Sequence, residues 1–329
     1  MGLMGKLKYA AGALLLCALL LAPAGAEALT KVSLQLQWVH QAQFAGFYLA
    51  QDLGLYRKAG LEVEIRPGGP GIEPLSELAT LRCDFALSWL SEALVMRSKG
   101  VDLVNLAQLV QRSALMLVVF NDSGIRTVKD LDGRRVGLWQ RQFAAPPRAL
   151  FAKLGISVNE VSQNVSMAPF LQRAVDAATA MLYNEYHQLY QAGVDRDEIT
   201  IFDFAEQGMN FPEDGLYTLE DTWRDRPEVC KAFVRASLEG WRRAFVEQEL
   251  ALASVMKRVN AANLASNPAH QRWMLKSMKD LYTHRVGTVL MGQLSPYDLL
   301  QVNRVLVAQG FIPEPIEAKG FVAEAWRQP

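Results

Sequence analysis

The chain has 329 residues, half of them apolar, with 34 basic and 34 acidic side chains. This length and apolar content suffice for two ordinary domains with full cores, and the balanced charge leaves no overall positive field to attract nucleic acid. Seven Trp, nine Tyr and fourteen Phe provide ample aromatic surface for a cleft that holds an organic ligand.

The first 26 residues predict a secretory signal peptide. Lys6 and Lys8 precede an apolar run from Ala10 to Ala22, and Ala24-Gly25-Ala26 has the small-x-small pattern of signal-peptidase cleavage. The run is short for a membrane span, and an uncleaved anchor is the alternative interpretation. We expect cleavage near Ala26 and a mature protein located in the periplasm.

The spacing between apolar residues changes twice within residues 31–66. Alternation from Val32 to Trp38 predicts a strand, apolar residues three to four apart from Phe44 predict a helix that ends near Gly54, and residues 61–66 alternate again as a second strand. This strand-helix-strand order is a βαβ unit, whose crossover makes the two strands parallel.

The remaining chain continues as α/β structure and then becomes mostly helical from Asp225. A glycine- and proline-rich loop at 67–71 permits close approach of backbone to another group, or is a plain turn. Strands are predicted at 84–87, 104–110, 115–120, 136–138, 179–182 and 199–204, helices at 73–81, 146–154 and 170–175, and an extended segment at 216–219.

Aromatic and polar residues recur where the predicted strands end. In open parallel sheets, ligands bind beyond the carboxyl ends of the strands, where helix N-termini expose N–H groups. We therefore predict that a ligand is bound by Trp38, His40, Gln43 and Tyr48 after the first strand, Ser88 and Trp89 after the third, Trp139 and Gln140, Asn184 and Glu185 after later strands, and Asp214 from a turn.

Each of these residues has a structural role as its alternative. Trp38 alone would be a core residue, His40 could cap the first helix, and Asp214 could form a turn. Glu185 could serve the dipole of the helix it begins. Repeated indoles favour a site that stacks a planar ring, and a buried Glu185 would favour a ligand that donates hydrogen bonds. Tyr183 and Tyr186 are assigned to packing.

The sequence offers little sign of catalysis. Cys83 and Cys230 lie in apolar patterns, where a free, buried thiol is commoner than a disulfide, although the compartment permits one. The four histidines are scattered, and no G-x-S-x-G or Walker loop occurs. We predict no metal site, no cofactor and no catalytic residue.

Six motifs spread over the mature chain carry a family resemblance. They are LQWxHQxQFAGFY at 36–48, GLYxxAGLxV at 54–63, CDFALSW at 83–89, SGIxTxxDLxGxxVG at 123–137, YNEY at 183–186 and NFPEDG at 210–215. With them the chain resembles the periplasmic substrate-binding proteins of ABC importers in the thiamine-pyrimidine and sulfonate-binding-like family.

The resemblance implies a two-lobed α/β periplasmic binding protein of type II, with two doubly wound sheets and a hinge of two crossing strands. Lobe 1 would combine residues 27–118 with the partly helical region 208–329, and lobe 2 would be residues 119–207. The ligand would lie between the lobes, which close by a hinge motion. The implied partners are an ABC permease and its ATPase. The protein would be a monomer that meets the membrane only through the permease.

The implied cargo is a small planar heterocycle similar to a thiamine pyrimidine precursor. An aromatic sulfonate or a flavin is an alternative cargo, and a periplasmic sensor input is an alternative role. The fungal-type thiamine pyrimidine synthase shares the fold, but its lysine and histidine positions read Ser88 and Glu92 here, and its cysteine run has no counterpart near 205–216. Without the lysine, no amine is available for a Schiff base, so we predict a binding protein and not an enzyme.

Overall fold

The computed structural model describes residues 28–283 and 290–327, without the side chains of residues 141 and 142. The predicted signal peptide, residues 1–26, lies outside the described residues. Within the described ranges, no helix is both long enough and apolar enough to cross a membrane.

In the described part of the chain, ten strands form two mixed sheets of five strands each. They are β1 (Thr30–Gln35), β2 (Leu61–Arg66), β3 (Phe85–Ser88), β4 (Leu103–Gln108), β5 (Leu115–Phe120), β6 (Arg135–Leu138), β7 (Asn159–Ser162), β8 (Ala177–Met181), β9 (Ile199–Asp203) and β10 (Gly215–Leu219). The strand orders are β2-β1-β3-β10-β4 and β7-β6-β8-β5-β9. This arrangement confirms the predicted two-lobed α/β fold.

Helices cover the sheets, and most of the helical residues follow β10. The helices are α1 (Ala45–Asp52), α2 (Leu55–Lys58), α3 (Pro74–Ala79), α4 (Leu90–Ser98), α5 (Ala145–Leu154), α6 (Ala168–Leu171), α7 (Glu185–Gln191), α8 (Glu220–Asp225), α9 (Pro227–Val246), α10 (Gln248–Ala261), α11 (Pro268–Thr283) and α12 (Pro296–Ala308). Short 3₁₀ turns occupy 42–44, 121–123, 128–131, 141–144 and 196–198.

The predicted βαβ unit is confirmed, with one change at its first strand. β1 and β2 pair in parallel, but β1 ends at Gln35 and does not continue to Trp38. The backbone leaves the sheet because the loop after β2 packs against it. Gly68 donates its N–H to the Trp38 carbonyl at 2.9 Å, and a Cβ at Gly68 would lie 2.4 Å from the Leu36 carbonyl oxygen. The glycine-rich loop therefore does bring backbone into close contact.

One other prediction about an element was wrong, and one strand was not predicted. The helix predicted at 170–175 is α6, at 168–171, and it ends early because Arg173 has a φ of +58°. The strand β7 was not predicted, because its four exposed residues carry no apolar alternation.

Two chain segments cross between the sheets, residues 109–114 and 204–214. The carboxyl of Glu213 joins them, because its Oε1 accepts hydrogen bonds from Ser113 Oγ at 2.7 Å and Ala114 N at 2.8 Å. The strands beside the crossings, β5 and β10, run antiparallel to neighbours in their sheets, so both sheets are mixed. The lobe boundaries at 118/119 and 207/208 stay a prediction, and β5 pairs within the second sheet from Leu115 onward.

The two cysteines of the described chain are free and buried, as the apolar patterns predicted. Burial raises the pKa of the Cys83 and Cys230 thiols to about 12 each, so both stay protonated at neutral pH. We expect that a reducing agent leaves the thermal unfolding midpoint unchanged. A decrease of more than about 5 °C in differential scanning calorimetry would indicate a disulfide, which typically contributes ~2–4 kcal/mol.

Candidate ligand-binding site

A cavity of about 590 Å³ lies between the two sheets, at the carboxyl ends of their parallel strands. This volume is within the range of sites for small organic ligands. The side of the first sheet contributes Gln37, Trp38, Gln41, Gln43, Trp89, Glu92 and the loop 69–74, and the side of the second sheet contributes Trp139, Gln140, Phe143, residues 163–165, Met181, Tyr183, Asn184 and Glu185.

Aromatic rings from both lobes line this cavity. Trp38 and Trp89 follow β1 and β3, whereas Trp139 and Phe143 follow β6. The rings of Trp89 and Phe143 meet edge to face across the lobes, with centroids 4.8 Å apart. The Trp139 indole is held by a 3.2 Å hydrogen bond from its Nε1 to the Asn164 carbonyl. Trp38 and Trp139 are half-buried, so part of each indole is accessible to a ligand.

Glu185 places a buried carboxyl in the cavity lining. Its Oε2 accepts a hydrogen bond from Met181 N at 3.0 Å, and its Oε1 accepts one from Asn184 Nδ2 at 2.8 Å. Burial raises the pKa of the Glu185 carboxyl to about 7, against the lowering effect of these hydrogen bonds. The residue is also the first of α7, so the helix-start position and the cavity position coincide.

Asp214 lies behind the cavity and fixes two glutamines that line it. Gln37 and Gln43 both donate their side-chain amino groups to Asp214 Oδ1, the latter at 2.9 Å. Gln41 donates in turn to Gln43 Oε1 at 2.6 Å. Because Asp214 holds the Gln37 amino group, the carbonyl oxygen of Gln37 and one N–H of its amino group remain for contacts with a ligand. This end of the cavity therefore offers both acceptors and donors from glutamine amides.

Three other predicted site residues also lie outside the lining. Tyr48 is fully buried under the Arg258 guanidinium, which lies 4.6 Å from the ring centroid. His40 Nδ1 is 2.8 Å from the Tyr48 hydroxyl, and burial lowers the pKa of its imidazole. Ser88 is fully buried and donates to the Glu92 carboxyl. Of the eleven predicted residues, the cavity brings together Trp38, Gln43, Trp89, Trp139, Gln140, Asn184 and Glu185.

Several lining residues were not predicted from the sequence. Gln37 and Gln41 lie next to the predicted residues Trp38 and His40, and their polar amides in this segment could have indicated a binding role. Glu92, which occupies the synthase histidine position, also lines the cavity. Gln163 was missed together with β7, and its amide is saturated by Thr179, whose carbonyl accepts at 2.7 Å and whose N–H donates at 3.0 Å. Tyr183, assigned to packing, lines the cavity and is 4% exposed.

The described side chains of the lining include three glutamates, Glu73, Glu92 and Glu185, and no lysine or arginine. Burial raises the pKa of the Glu92 carboxyl as well. The described lining therefore favours ligands that donate hydrogen bonds over ligands that only accept them.

A family model described as NMT1/THI5 like matches residues 41–251. The chain belongs to the NMT1/THI5-like family. The match covers the cavity segments from Gln41 to Asp214 and confirms the resemblance read from the motifs.

Relatives of this NMT1/THI5-like protein bind different ligands, according to their names. The riboflavin-binding protein RibY of Chloroflexus aurantiacus is 22% identical over 91% of this chain and 86% of its own length. The formylaminopyrimidine-binding protein of Halalkalibacterium halodurans is 26% identical over 72% of this chain and 73% of its own length.

The solved structures show the fold of this NMT1/THI5-like protein. The periplasmic aliphatic sulphonate binding protein SsuA of Escherichia coli aligns with a TM-score of 0.69 and 14% identity, over 89% of this chain and 92% of its own. Enzymes also occur among the solved structures of this fold. The fold is that of two-lobed substrate-binding proteins, and this likeness does not identify the ligand.

Proposed function

We propose that this protein is the binding component of an ABC importer and captures a 4-aminopyrimidine of the thiamine-precursor type between its lobes. The observation that carries this proposal is the Glu185 carboxyl, which lies in an aromatic-lined cavity and is held by donors on both of its oxygens. The ring would stack on indoles, and its polar edge would face Glu185.

The polar edge of a 4-aminopyrimidine matches a carboxyl that is half-protonated near pH 7. The edge presents an exocyclic amino group beside a ring nitrogen. A protonated Glu185 accepts from the amino group and donates to the ring nitrogen; if the proton moves to the ring, the carboxylate accepts from both. The second arrangement is a charge-assisted pair, which is stronger than a neutral hydrogen bond, and the first is a neutral pair of two hydrogen bonds.

A sulfonate matches this cavity poorly. It carries a full negative charge and only hydrogen-bond acceptors, so it requires cations or N–H donors. The described lining includes three glutamates and no lysine or arginine that would neutralise the anion. An ionised Glu185 would repel the anion, and a neutral one would supply a single donor.

A flavin is the second candidate, and the size of the cavity favours it. About 590 Å³ exceeds the volume that one pyrimidine ring fills, and three indoles line the space. A fused tricyclic ring would stack on more of this aromatic surface. The similarity to a riboflavin-binding protein extends over most of the chain. The chemistry of Glu185 counts against a flavin as the cargo, because a flavin has no amino group beside a ring nitrogen that could pair with this carboxyl.

We also propose that the protein is exported and acts without catalysis. The names of the relatives, which include binding proteins for a formylaminopyrimidine and for riboflavin, support a binding role. Ser88 occupies the position of the synthase lysine and is hydrogen-bonded to Glu92. A serine engaged in this way offers no amine to a cofactor aldehyde. Permease and ATPase genes beside the coding sequence would support the importer role, and a sensor kinase gene there would contradict it.

Isothermal titration calorimetry with three probes tests the cargo. The probes are 4-amino-5-hydroxymethyl-2-methylpyrimidine, riboflavin and an alkanesulfonate, each titrated into the mature protein at pH 7. We expect the aminopyrimidine to bind at least tenfold more tightly than either of the others. Tighter binding of riboflavin would replace the proposed cargo by a flavin, and tighter binding of the sulfonate would refute the role of Glu185.

The indole of Trp139 should contribute directly to ligand affinity. We expect Trp139→Leu to weaken aminopyrimidine binding about tenfold, or ~1.4 kcal/mol, because an aromatic pair contributes ~0.5–1.5 kcal/mol beyond the area it buries. Binding should also change the tryptophan fluorescence of the wild type, and by a smaller amount in the variant. Equal affinities in calorimetry would show that Trp139 does not stack on the ligand.

A further inference from the structure

Helix α11 contacts both halves of the cavity. On the side of the first sheet, Gln271 Oε1 accepts the backbone N–H of Ala42 at 2.6 Å, beside the lining residue Gln43. On the side of the second sheet, Trp273 Nε1 donates to the Leu182 carbonyl at 3.0 Å, just before the lining residues 183–185. This helix therefore braces the strand ends of the two lobes against each other.

A chain of side-chain hydrogen bonds runs from α11 to the cavity carboxyl. His187 of α7 and His270 of α11 are joined through their Nδ1 atoms, 2.8 Å apart. His270 Nε2 lies 3.0 Å from Asn184 Oδ1, and Asn184 Nδ2 lies 2.8 Å from Glu185 Oε1. His187 and His270, which are distant in sequence and belong to opposite lobes, thus contact each other, and His270 also contacts Asn184, the residue before Glu185.

The direction of each hydrogen bond follows from its partners. Glu185 accepts from Asn184, so the Asn184 amide presents its oxygen to His270, and Nε2 of His270 must carry the proton. A neutral His270 then has a bare Nδ1, which accepts from Nδ1–H of His187. Burial lowers the pKa of both imidazoles, that of His270 to about 4, so both rings are neutral at pH 7.

The surroundings add no other charge to this contact among the described groups. The His187 ring stacks on Trp273 with centroids 4.8 Å apart, and the hydroxyl of Tyr190, on the same helix as His187, is bonded to Tyr186. On α11, Arg272 is paired with Glu249 of α10 on an exposed face. Asn267 caps the backbone N–H of His270 at 2.9 Å.

We infer that His270 is a positioning residue for the ligand site. From the lobe of the first sheet, it orients the Asn184 amide, which holds the Glu185 carboxyl of the other lobe in its ligand-facing position. Gln188 of α7 also donates to Asn184 Oδ1, at 3.1 Å, so His270 adds the contact from the opposite lobe, which is made only while α7 and α11 remain together. This inference rests on the proposed function, in which Glu185 is the carboxyl that meets the ligand.

Two substitutions of His270 separate positioning from packing. The amide nitrogen of glutamine can replace Nε2 and still donate to Asn184, whereas the shorter asparagine replaces only the atoms near Nδ1. We expect His270→Gln to bind 4-amino-5-hydroxymethyl-2-methylpyrimidine within about threefold of the wild type, and His270→Asn to bind it about tenfold more weakly. Arg272→Gln, an exposed change on the same helix, is the matched control and should bind as the wild type does.

Nuclear magnetic resonance of ¹⁵N-histidine-labelled, ligand-free protein tests the hydrogen-bond chain without any ligand. We expect His270 to carry its proton on Nε2 and His187 to carry its proton on Nδ1. A proton on Nδ1 of His270 would overturn the inference, as would equal affinities of the glutamine and asparagine variants. If the wild type does not bind the aminopyrimidine, the proposed cargo is wrong, and the proton positions alone then confirm or overturn the hydrogen-bond chain.

Discussion

Replacing Glu185 by glutamine should weaken aminopyrimidine binding by ~1.5–3 kcal/mol, the range for hydrogen bonds that involve a charged group. The carboxyl uses both oxygens internally, because Met181 N donates to Oε2 and Asn184 Nδ2 donates to Oε1. A glutamine has one oxygen, so its amino group must face one of these two donors. It also cannot share a proton with the pyrimidine ring. Calorimetry at pH 7 measures the loss.

The control variant is Glu160→Gln, which makes the same chemical change at an exposed carboxyl of the second lobe, 2.6 Å from Arg148. It should leave ligand affinity unchanged.

The wild type should also lose affinity for the aminopyrimidine above about pH 7, by up to about tenfold per pH unit, because an ionised Glu185 must take up a proton on binding. The glutamine variant should show no such dependence. An alkanesulfonate that binds the wild type tightly and ignores residue 185 would contradict the assignment.

Gly240→Ala should lower the free energy of unfolding by ~1–3 kcal/mol, although alanine normally stabilises a helix by about 1 kcal/mol relative to glycine. Helices α1 and α9 cross closely here, and a Cβ on Gly240 would lie 2.2 Å from the Gly46 carbonyl oxygen and 2.7 Å from Ala50 Cβ. The helices must separate to admit it, because a backbone atom is the obstacle. Urea unfolding measures the change.

Glu239→Ala is the matched control for the helix contact. Its side chain is on the exposed face of α9, paired with Arg242, so we expect a change within about 0.5 kcal/mol. An unchanged or increased stability of Gly240→Ala would show that α1 and α9 can separate without cost. The contact matters for the site because α1 directly follows the segment that carries Trp38 and Gln43.

The fold and the family could be predicted from local patterns. The alternation at 61–66 matches β2 residue for residue. The indoles of Trp38 and Trp89 lie at the carboxyl ends of parallel strands of the first sheet, and Trp139 lies at the equivalent end of β6 in the second sheet, which faces them across the cavity. These positions required only the strand period and the motifs.

The arrangement behind the cavity could not be predicted in this way. Tyr48 is covered by Arg258, and His187 meets His270 at a separation of 83 residues. Such contacts depend on how distant helices pack on the sheets, and sequence spacing carries no information about that packing. The strand β7 was not predicted for a different reason. An exposed edge strand of four residues has no buried face, so its sequence shows no alternation of apolar and polar residues.

A crystal structure of the mature protein with 4-amino-5-hydroxymethyl-2-methylpyrimidine tests the central claim most directly. We expect the ring in the cavity between the lobes, stacked on an indole, with its exocyclic nitrogen about 2.7–2.9 Å from a Glu185 carboxyl oxygen, the distance of a charge-assisted hydrogen bond. A ligand bound in this cavity with its amino group turned away from Glu185, or bound elsewhere on the protein, would contradict the account.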